Sequence, residues 1–266
     1  MAIEDLRVDG FQVEFQSHAK AILEADFPGA LNEIEVALHG LSIPIEEIIG
    51  SGGGETKGTQ RLRRSLAAAH WNKAVFEIAK TINGRVRESQ SHEIDRVRTI
   101  EGNVIALEIE WNNKDPFFDR DLENFKRLHA EGAISVGIIV TRGASMQDQM
   151  RDLVLRFATD KAITAIGDLT VHSLNPTIRQ RLDYERRAAR PGVSFAEAWS
   201  ASFVQDKYGA ATTHWRKLED RIHRGVGNPC PLLLIGLPAS LVTFGEPAEQ
   251  VQQLMEEAIE EAEEDC

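Results

Sequence analysis

The chain has little of what secreted, membrane-spanning and cysteine-rich proteins are built from. Only two of its 266 residues are cysteine, Cys230 and Cys266, too few for a disulfide framework or a four-ligand zinc site. No apolar run approaches the ~18 residues that a membrane helix needs. The first residues, MAIEDLRVDG, are acidic where a secretory signal is basic and then apolar. We therefore expect a soluble, cytoplasmic protein that does not bind membranes.

Basic residues are also scarce relative to acidic ones. The net charge of −12 argues against a nucleic-acid partner, because phosphate binding relies on Lys and Arg. The excess is local, since residues 246–266 carry nine acidic and no basic side chains, which leaves residues 1–245 with 30 basic and 33 acidic ones. We interpret residues 1–245 as a single, nearly neutral domain and residues 246–266 as an acidic tail, helical or disordered.

The spacing of apolar residues predicts helices alternating with strands. Two helices are expected within residues 11–40, separated at Pro28-Gly29, and a less regular segment follows residue 159. The other predicted helices lie at about 59–80, 115–132 and 146–159, and the predicted strands at about 85–98, 103–111, 133–143 and 231–238. A strand, a helix and a strand in this order predict a crossover unit with parallel strands, hence an α/β fold.

Acidic side chains are concentrated in the predicted hairpin HEIDRVRTIEGNVIALEIEWNNKD, residues 92–115. A two-residue loop at Glu101-Gly102 or at Gly102-Asn103 would connect its strands. Side chains alternate along a strand, so both registers place the same carboxylates on one face, within about 4.5–8 Å of a neighbour. These are Glu93, Asp95, Glu108 and Glu110.

Carboxylates at this spacing repel one another unless a cation lies among them. Oxygen ligands of this kind suit Mg²⁺ or Mn²⁺, and one or two such ions can activate water and offset charge on a phosphate under attack. The spacing therefore predicts metal-assisted cleavage of phosphodiesters. The alternative is a solvent-facing strand pair whose charges are balanced by Arg96, Arg98 and Lys114.

The segments SHEID, IALEIEWNNKDPFFDRDLENFKRL and ISVGIIVTRG resemble the Bgl II-type restriction endonucleases, a branch of the PD-(D/E)XK nuclease fold that also includes Bam HI. The similarity runs from about Gly53 to Arg142, with a weaker similarity at 213–238. It implies a mixed β-sheet flanked by helices, Mg²⁺ dependence and a homodimer that cleaves both strands of duplex DNA at a short palindrome. It also implies a cognate DNA methyltransferase in the same system.

The resemblance assigns roles to individual residues. Asp95 matches the metal-binding aspartate, and Glu108 matches the first acid of the (D/E)-x-K element. Glu110 stands where most of the superfamily has lysine and Bgl II has glutamine, and a glutamate there resembles Bam HI. This difference leaves open whether Glu110 holds a second metal ion or accepts a proton from the attacking water. The implied metal ligands are Asp95, Glu108 and Ile109.

Further acidic residues are candidates for supporting roles. A carboxylate from the preceding helix often assists in this fold, and Glu77 is the candidate. Glu55, at the end of the glycine-rich loop GSGGGETKGT, is the alternative. Glu93 shares the face of the catalytic residues and is expected to lie next to the ligands.

Candidate DNA contacts follow the predicted strands. Side chains there can reach base edges while the metal site holds the phosphate. Asn112, Asn113 and Lys114 follow the catalytic strand, and the resemblance adds Arg142 and Ser145 after the VTR sequence, although capping and turn formation also favour Asn and Ser at such places. The predicted phosphate contacts are Arg61 and Arg64.

These patterns predict a type II restriction endonuclease, a two-fold symmetric dimer that recognises a palindrome. Two other functions stay open. A DNA-repair nuclease of the same fold would cut according to DNA structure, and a DNA-binding protein with an inactive site would bind DNA without cutting it. The target sequence is not fixed by these residues, although the resemblance implies a hexanucleotide centred on GATC.

Overall fold

The computed structural model describes residues 2–50 and 56–245. The predictions for Glu55, for the centre of the glycine-rich loop and for the acidic tail lie outside the described residues. Across the part of the chain that the structure describes, no helix is long and apolar enough to cross a membrane.

The described residues form helices and strands with the following bounds. The helices are α1 (Ala2–Val8), α2 (Ala19–Asp26), α3 (Pro28–His39), α4 (Ile45–Ile49), α5 (Lys57–Ala68), α6 (Phe117–Ala130), α7 (Ala144–Asp160), α8 (Ile166–Val171), α9 (Ile178–Ala188), α10 (Phe195–Lys207) and α11 (Trp215–His223). The strands are β1 (Gln12–Gln16), β2 (Ile43–Pro44), β3 (Asn72–Ile82), β4 (Arg85–Ile100), β5 (Asn103–Glu110), β6 (Val136–Arg142), β7 (Leu232–Leu237) and β8 (Val242–Thr243).

The chain divides into two compact units. The first comprises the described residues of Met1–Gly40, Leu62–Ala144 and Thr212–Pro238. The second comprises the described residues of Leu41–Arg61, Ser145–Ala211 and Ala239–Cys266. The single domain over residues 1–245 stays a prediction.

The first unit is built on a six-stranded mixed sheet of order β1-β7-β6-β5-β4-β3. Its centre, β5-β6-β7, is parallel, and the outer pairs are antiparallel. The predicted crossover is confirmed, because β5 and β6 are parallel neighbours joined through α6. A mixed sheet flanked by helices is the fold class that the sequence predicted.

The β4–β5 hairpin takes one of the two predicted registers. Ile100 faces Asn103, so Glu101 and Gly102 form the loop, with φ angles of 50° and 83°. Positive φ at both central residues is the signature of a type I′ turn, whose twist matches that of antiparallel strands. This register brings the backbone of Asp95 beside the side chain of Glu108.

Three parts of the secondary-structure prediction are wrong. The helix predicted over 59–80 ends at Ala68, and Asn72–Ile82 is instead strand β3, paired with β4 across an Asn83-Gly84 turn. Residues 12–16, assigned to a helix, form β1 against β7. In both cases pairing with a distant strand overrides the local pattern. The segment predicted to be less regular holds α8, α9 and α10.

The core of the first unit lies between α6 and the sheet. Apolar residues of α6 recur at helical spacing and are fully buried: Phe118, Leu122, Phe125 and Leu128. They pack with Ala106 of β5, Ile139 of β6 and Leu234 of β7. Since α6 rests directly on β5 and β6, its first turn lies beside the carboxyl end of β5, where Glu108 and Glu110 stand.

The second unit is mainly helical. Its α9 and α10 pack together around buried Tyr184 and Trp199, and Trp199 lies 5.6 Å from the Phe203 ring. The short strands β2 and β8 pair in parallel within this unit.

Candidate active site

One cleft in the first unit collects the predicted carboxylates. It has a volume of about 590 Å³, and its lining includes Glu93, Asp95, Glu108, Ile109 and Glu110. Arginine side chains from two helices also line it: Arg63 of α5, and Arg120 and Arg127 of α6. The prediction that these carboxylates share one face of the hairpin therefore agrees with their position in the structure.

Asp95 is held by bonds from three directions. Its Oδ1 accepts a hydrogen bond from Arg63 at 2.5 Å, and its Oδ2 accepts one from the Ile109 backbone N–H at 3.1 Å. Its own backbone N–H donates to Glu108 Oε2 at 3.2 Å. Asp95 thus bridges β4 and β5 at the point where their backbone ladder has ended.

Glu110 is buried, with only 3% of its surface exposed. Its Oε2 accepts a hydrogen bond from Asn113 Nδ2 at 2.8 Å, and its Oε1 lies 3.5 Å from Arg120 Nη2. Thr141 of the neighbouring strand donates to the Glu110 main-chain carbonyl at 2.7 Å. These contacts fix both the backbone and the carboxyl group of Glu110.

The sequence analysis missed Asp121, a fully buried acid on α6. Its Oδ1 accepts hydrogen bonds from Arg120, whereas its Oδ2 is buried without a donor among the described residues. Asp121 and Glu110 affect each other's pKa, so the two carboxyl groups are neighbours in the site. A signal was present, because Asp121 occupies the apolar face of α6, one turn after Phe118 and next to Leu122, where a core residue is expected.

Because Glu108, Glu110 and Asp121 are buried close together, ionisation of their carboxyl groups is unfavourable. Burial, followed by the charges of Asp121 and Asp95, raises the pKa of Glu108 well above its ordinary value. Burial and then Asp121 raise the pKa of Glu110 to about 8. Burial also raises the pKa of Asp121, against the opposing hydrogen bond from Arg120. Cationic partners are therefore required if all these groups are to be ionised together.

The sequence matches the model of a known nuclease family. The family model described as restriction endonuclease BglII/BglIII matches residues 11–237. The chain belongs to this family. It is a type II restriction endonuclease that acts on double-stranded DNA, and the resemblance stated from the hairpin motifs is confirmed. No curated protein matches the chain.

Restriction endonucleases generally use a divalent metal ion, and the donors of this BglII-family cleft fit one by their chemistry. Carboxylate oxygens are the ligands that hard divalent ions prefer, and the buried Asp121 Oδ2 has no hydrogen-bond partner among the described residues. Within residues 2–50 and 56–245, however, no three His, Cys, Asp or Glu side chains are arranged to hold a metal ion. Asp95 Oδ1 is occupied by Arg63, so a cation at Asp95 competes with that arginine.

The predicted DNA contacts of the endonuclease after β5 differ in their surroundings. Asn113 is exposed but turned toward Glu110, and its backbone N–H donates to Thr213 Oγ1 at 3.1 Å. Asn112 has a buried Oδ1 with no partner among the described residues. Lys114 is exposed and forms a β-bridge with Thr212. Their contact with DNA stays a prediction.

Two of the predicted arginine contacts serve the protein itself. Arg142 is fully buried and donates to main-chain carbonyls of Trp111 and Thr213, and its contact with DNA stays a prediction. Arg61 is only 12% exposed and is paired with Glu47 at 2.7 Å. This ion pair joins the start of α5 to α4, so the Arg61 side chain faces the protein rather than solvent.

The remaining predicted contacts are Arg64 and Ser145, both half-buried. Arg64 lies on α5. Ser145 Oγ accepts a hydrogen bond from the Ala239 backbone at 3.3 Å within the second unit, as expected for a residue that supports a turn. Their roles in DNA binding stay predictions.

The two described candidates for supporting acids occupy different places. Glu77 is on strand β3 rather than on a helix, is exposed, accepts a hydrogen bond from Ser89 and does not line the cleft. Its assignment to the preceding helix was wrong because that helix ends at Ala68. Glu93 does line the cleft, where it pairs with Lys73 at 2.8 Å.

Proposed function

We propose that this endonuclease is a Mg²⁺-dependent homodimer that cleaves both strands of duplex DNA at a short palindrome, one phosphodiester per subunit. The observation that supports this most strongly is the convergence of Asp95, Glu108 and Glu110 on one cleft in a chain of this family. Mn²⁺ has the same ligand preference and should support cleavage as well.

Five residues of the cleft have proposed roles. Asp95, Glu108 and the main-chain carbonyl of Ile109 would hold the divalent ion, which supplies charge to activate water and to stabilise the phosphate under attack. Glu110 either holds a second ion or accepts the proton of the attacking water. Asn113 positions the Glu110 carboxyl group through its 2.8 Å hydrogen bond.

The proposed recognition follows from symmetry. Two copies related by a two-fold axis present the same side chains to both halves of a palindrome. Asn112, Asn113 and Lys114 directly follow the catalytic strand and are proposed to read bases, with phosphate contacts from surface arginines such as Arg64.

The test is digestion of a sequenced plasmid by the purified protein with Mg²⁺, with Mn²⁺ and with EDTA, followed by sequencing of the fragment ends. We expect discrete, metal-dependent ends that share one palindrome. Ends at structural features such as branches would instead support a repair nuclease. Binding without any cleavage would show that the site is inactive.

Glu108→Gln tests the cleft directly, because it removes the charge of a predicted ligand while keeping its size. Cleavage should fall by at least about 10³-fold, since loss of a metal ligand removes the transition-state stabilisation that the ion provides. Glu131→Gln is the matched control, because Glu131 is exposed at the end of α6 and does not line the cleft. Unchanged cleavage by Glu108→Gln would refute the assignment.

A cognate methyltransferase is proposed as the partner activity. An enzyme that cuts a short palindrome would also cut the chromosome of its own cell unless that site is modified. Genomic DNA from the source cell should therefore resist digestion, whereas the same DNA amplified in vitro should be cut. Cutting of both samples would contradict this part of the proposal.

A further inference from the structure

Arg120 is held at the cleft by a ring on one face of its guanidinium group and by carboxyl groups at its N–H donors. Its Nε and Nη2 donate to Asp121 Oδ1 at 2.8 and 2.7 Å, and its Nη2 lies 3.5 Å from Glu110 Oε1. The guanidinium carbon lies 4.4 Å from the centre of the Phe117 ring. A long side chain that is ordered in this way has lost most of its rotamer freedom before any ligand arrives.

Arg120 is anchored by a buried carboxyl group, which is unusual for an arginine at the surface. Asp121 is fully buried, and adjacent residues of a helix do not face each other, so the Arg120 side chain must fold back to reach it. A carboxylate that only solubilised α6 would lie at the surface. The geometry therefore indicates that Asp121 determines the position of the guanidinium group.

Arg120 keeps unused hydrogen-bond donors. Its side chain is 53% exposed and lines the cleft, and its Nη1 has no hydrogen-bond partner among the described residues. Of the other arginines of the cleft, Arg63 pairs with Asp95 and Arg127 donates to Gln90 at 2.8 Å.

A DNA phosphate that enters this cleft meets more carboxyl groups than arginine side chains. The carboxylates among the lining residues are Glu93, Asp95, Glu108, Glu110 and Glu123. Guanidinium groups match phosphate oxygens in geometry and are weakly hydrated, so they bind phosphate well when they are held in place.

We propose that Arg120 binds a non-bridging oxygen of the DNA phosphate in this cleft, and that Asp121 is the residue that positions it. The assignment deepens the proposed nuclease function and rests on the carboxylate cleft being the site of cleavage.

The test compares Arg120→Gln and Arg120→Lys with wild type in single-turnover cleavage. Loss of one positioned donor to a transition-state oxygen commonly costs about 10²-fold or more, so we expect a loss of that size for Arg120→Gln and partial recovery for Arg120→Lys. Lys126→Gln is the matched control, because Lys126 is on the same helix, is 43% exposed and does not line the cleft. It should cleave within about 3-fold of wild type.

Two further measurements separate phosphate binding from a structural role. In the first, the phosphate at the cleavage site of the substrate is replaced by an uncharged methylphosphonate. Wild type and Arg120→Gln should cleave this substrate at the same rate. Asp121→Asn should slow cleavage when Arg120 is present and have no added effect together with Arg120→Gln. A fall in the unfolding midpoint that accounts for the lost activity, or equal effects on charged and uncharged phosphate, would overturn the proposal.

Binding distinguishes failure of this proposal from failure of the proposed function. In EDTA, the affinity for duplex DNA should depend less steeply on salt in Arg120→Gln than in wild type. If one phosphate contact is lost, the slope of log K against log salt should be smaller in magnitude by about 0.9. If the wild-type protein cuts no DNA but this slope changes, the nuclease function fails and the phosphate contact stands. An unchanged slope together with wild-type cleavage would refute the phosphate contact alone.

Discussion

Arg142 acts as an interior connector of the first unit. Its Nε donates to the Trp111 carbonyl at 2.7 Å, and its Nη2 donates to the Thr213 carbonyl at 2.8 Å and to Thr212 Oγ1 at 2.6 Å. The side chain therefore ties the end of β6 to the segment after β5 and to the segment before α11. A guanidinium group in this position satisfies carbonyls that would otherwise be buried without donors.

We predict that Arg142→Gln lowers the free energy of unfolding by about 3–5 kcal/mol, because it leaves buried acceptors unsatisfied. Urea unfolding measures the change. Arg216→Gln, at an exposed position, is the control and should change stability by less than about 0.5 kcal/mol. Unchanged stability combined with weaker DNA binding would instead support the DNA contact that the sequence predicted.

His214 makes stability depend on pH. It is 6% exposed, and its Nδ1 is buried without a partner among the described residues. Burial, and then the charges of Arg142, Lys217 and Arg216, lower its pKa to about 4, against a small opposing effect of Asp115. The unfolded chain, with a His pKa near 6.5, takes up the proton first.

The sign follows from linkage, because the unfolded state binds more protons than the folded state in this window. The contribution of neutral His214 is fully present above about pH 6.5 and is lost as the pH falls toward 4, by up to about 3 kcal/mol. Urea unfolding at pH 7 and pH 5 should show a smaller loss for His214→Gln than for wild type. Equal losses in both proteins would contradict the assignment.

Among the elements, α6 and β6 are packed so closely that their contact leaves no room for an added methyl group. A methyl group on Gly137 of β6 would lie 2.8 Å from Phe125 Cγ and 3.0 Å from Leu232 Cδ2. Both neighbours are buried core side chains, so neither can swing aside. The close approach of α6 also sets the distance between Asp121 and the carboxylates of β5.

We predict that Gly137→Ala lowers the free energy of unfolding by about 1–3 kcal/mol through overpacking. Phe125→Leu should recover part of that loss in the double variant, because the two residues share one space. Gly29→Ala on α3 is the control, since its added methyl group meets nothing within 4 Å and should be neutral or slightly stabilising. Additive losses in the double variant would show that the steric explanation is wrong.

The elements also show where sequence patterns suffice. Alternating residues and the Glu101-Gly102 turn predicted β4 and β5 with the correct faces, because a hairpin is specified by local residues. Asn83-Gly84 is also typical of a hairpin turn, which would have a strand on each side. The apolar spacing of the residues before this turn, however, also fitted a helix. Only pairing with β4 decides between the two. Asp121 was missed for a related reason, since its meaning depends on which side of α6 meets the sheet.

Charge is a property of the whole molecule, and most of it is carried by one segment. The chain has a net charge of −12, and residues 246–266 contribute nine of its acidic side chains. Duplex DNA is a polyanion, so these charges oppose its approach over the range set by the Debye length, about 10 Å at 0.1 M salt.

We predict that deleting residues 246–266 accelerates DNA association several-fold at low salt and has no effect near 1 M salt. Stopped-flow association measures this. A full-length variant with Gln in place of the nine acids is the control for size, and should behave like the deletion if charge is the cause. Acceleration by the deletion alone would show that the length of the segment, rather than its charge, hinders binding.

The sheet joins residues from opposite ends of the chain, because β7 pairs with β6 and with β1, at residues 12–16. During synthesis, β1 and the edge of β6 have no partner until residues 232–237, which form β7, have left the ribosome. Long-range pairing of this kind forms late in folding. The sheet that positions Glu108 and Glu110 is therefore completed only after residues 232–237 have been made. A fragment that ends between residues 124 and 231 would carry every carboxylate that lines the cleft without the strand that completes their sheet, so we expect it to bind no divalent ion in the cleft and to cleave no DNA.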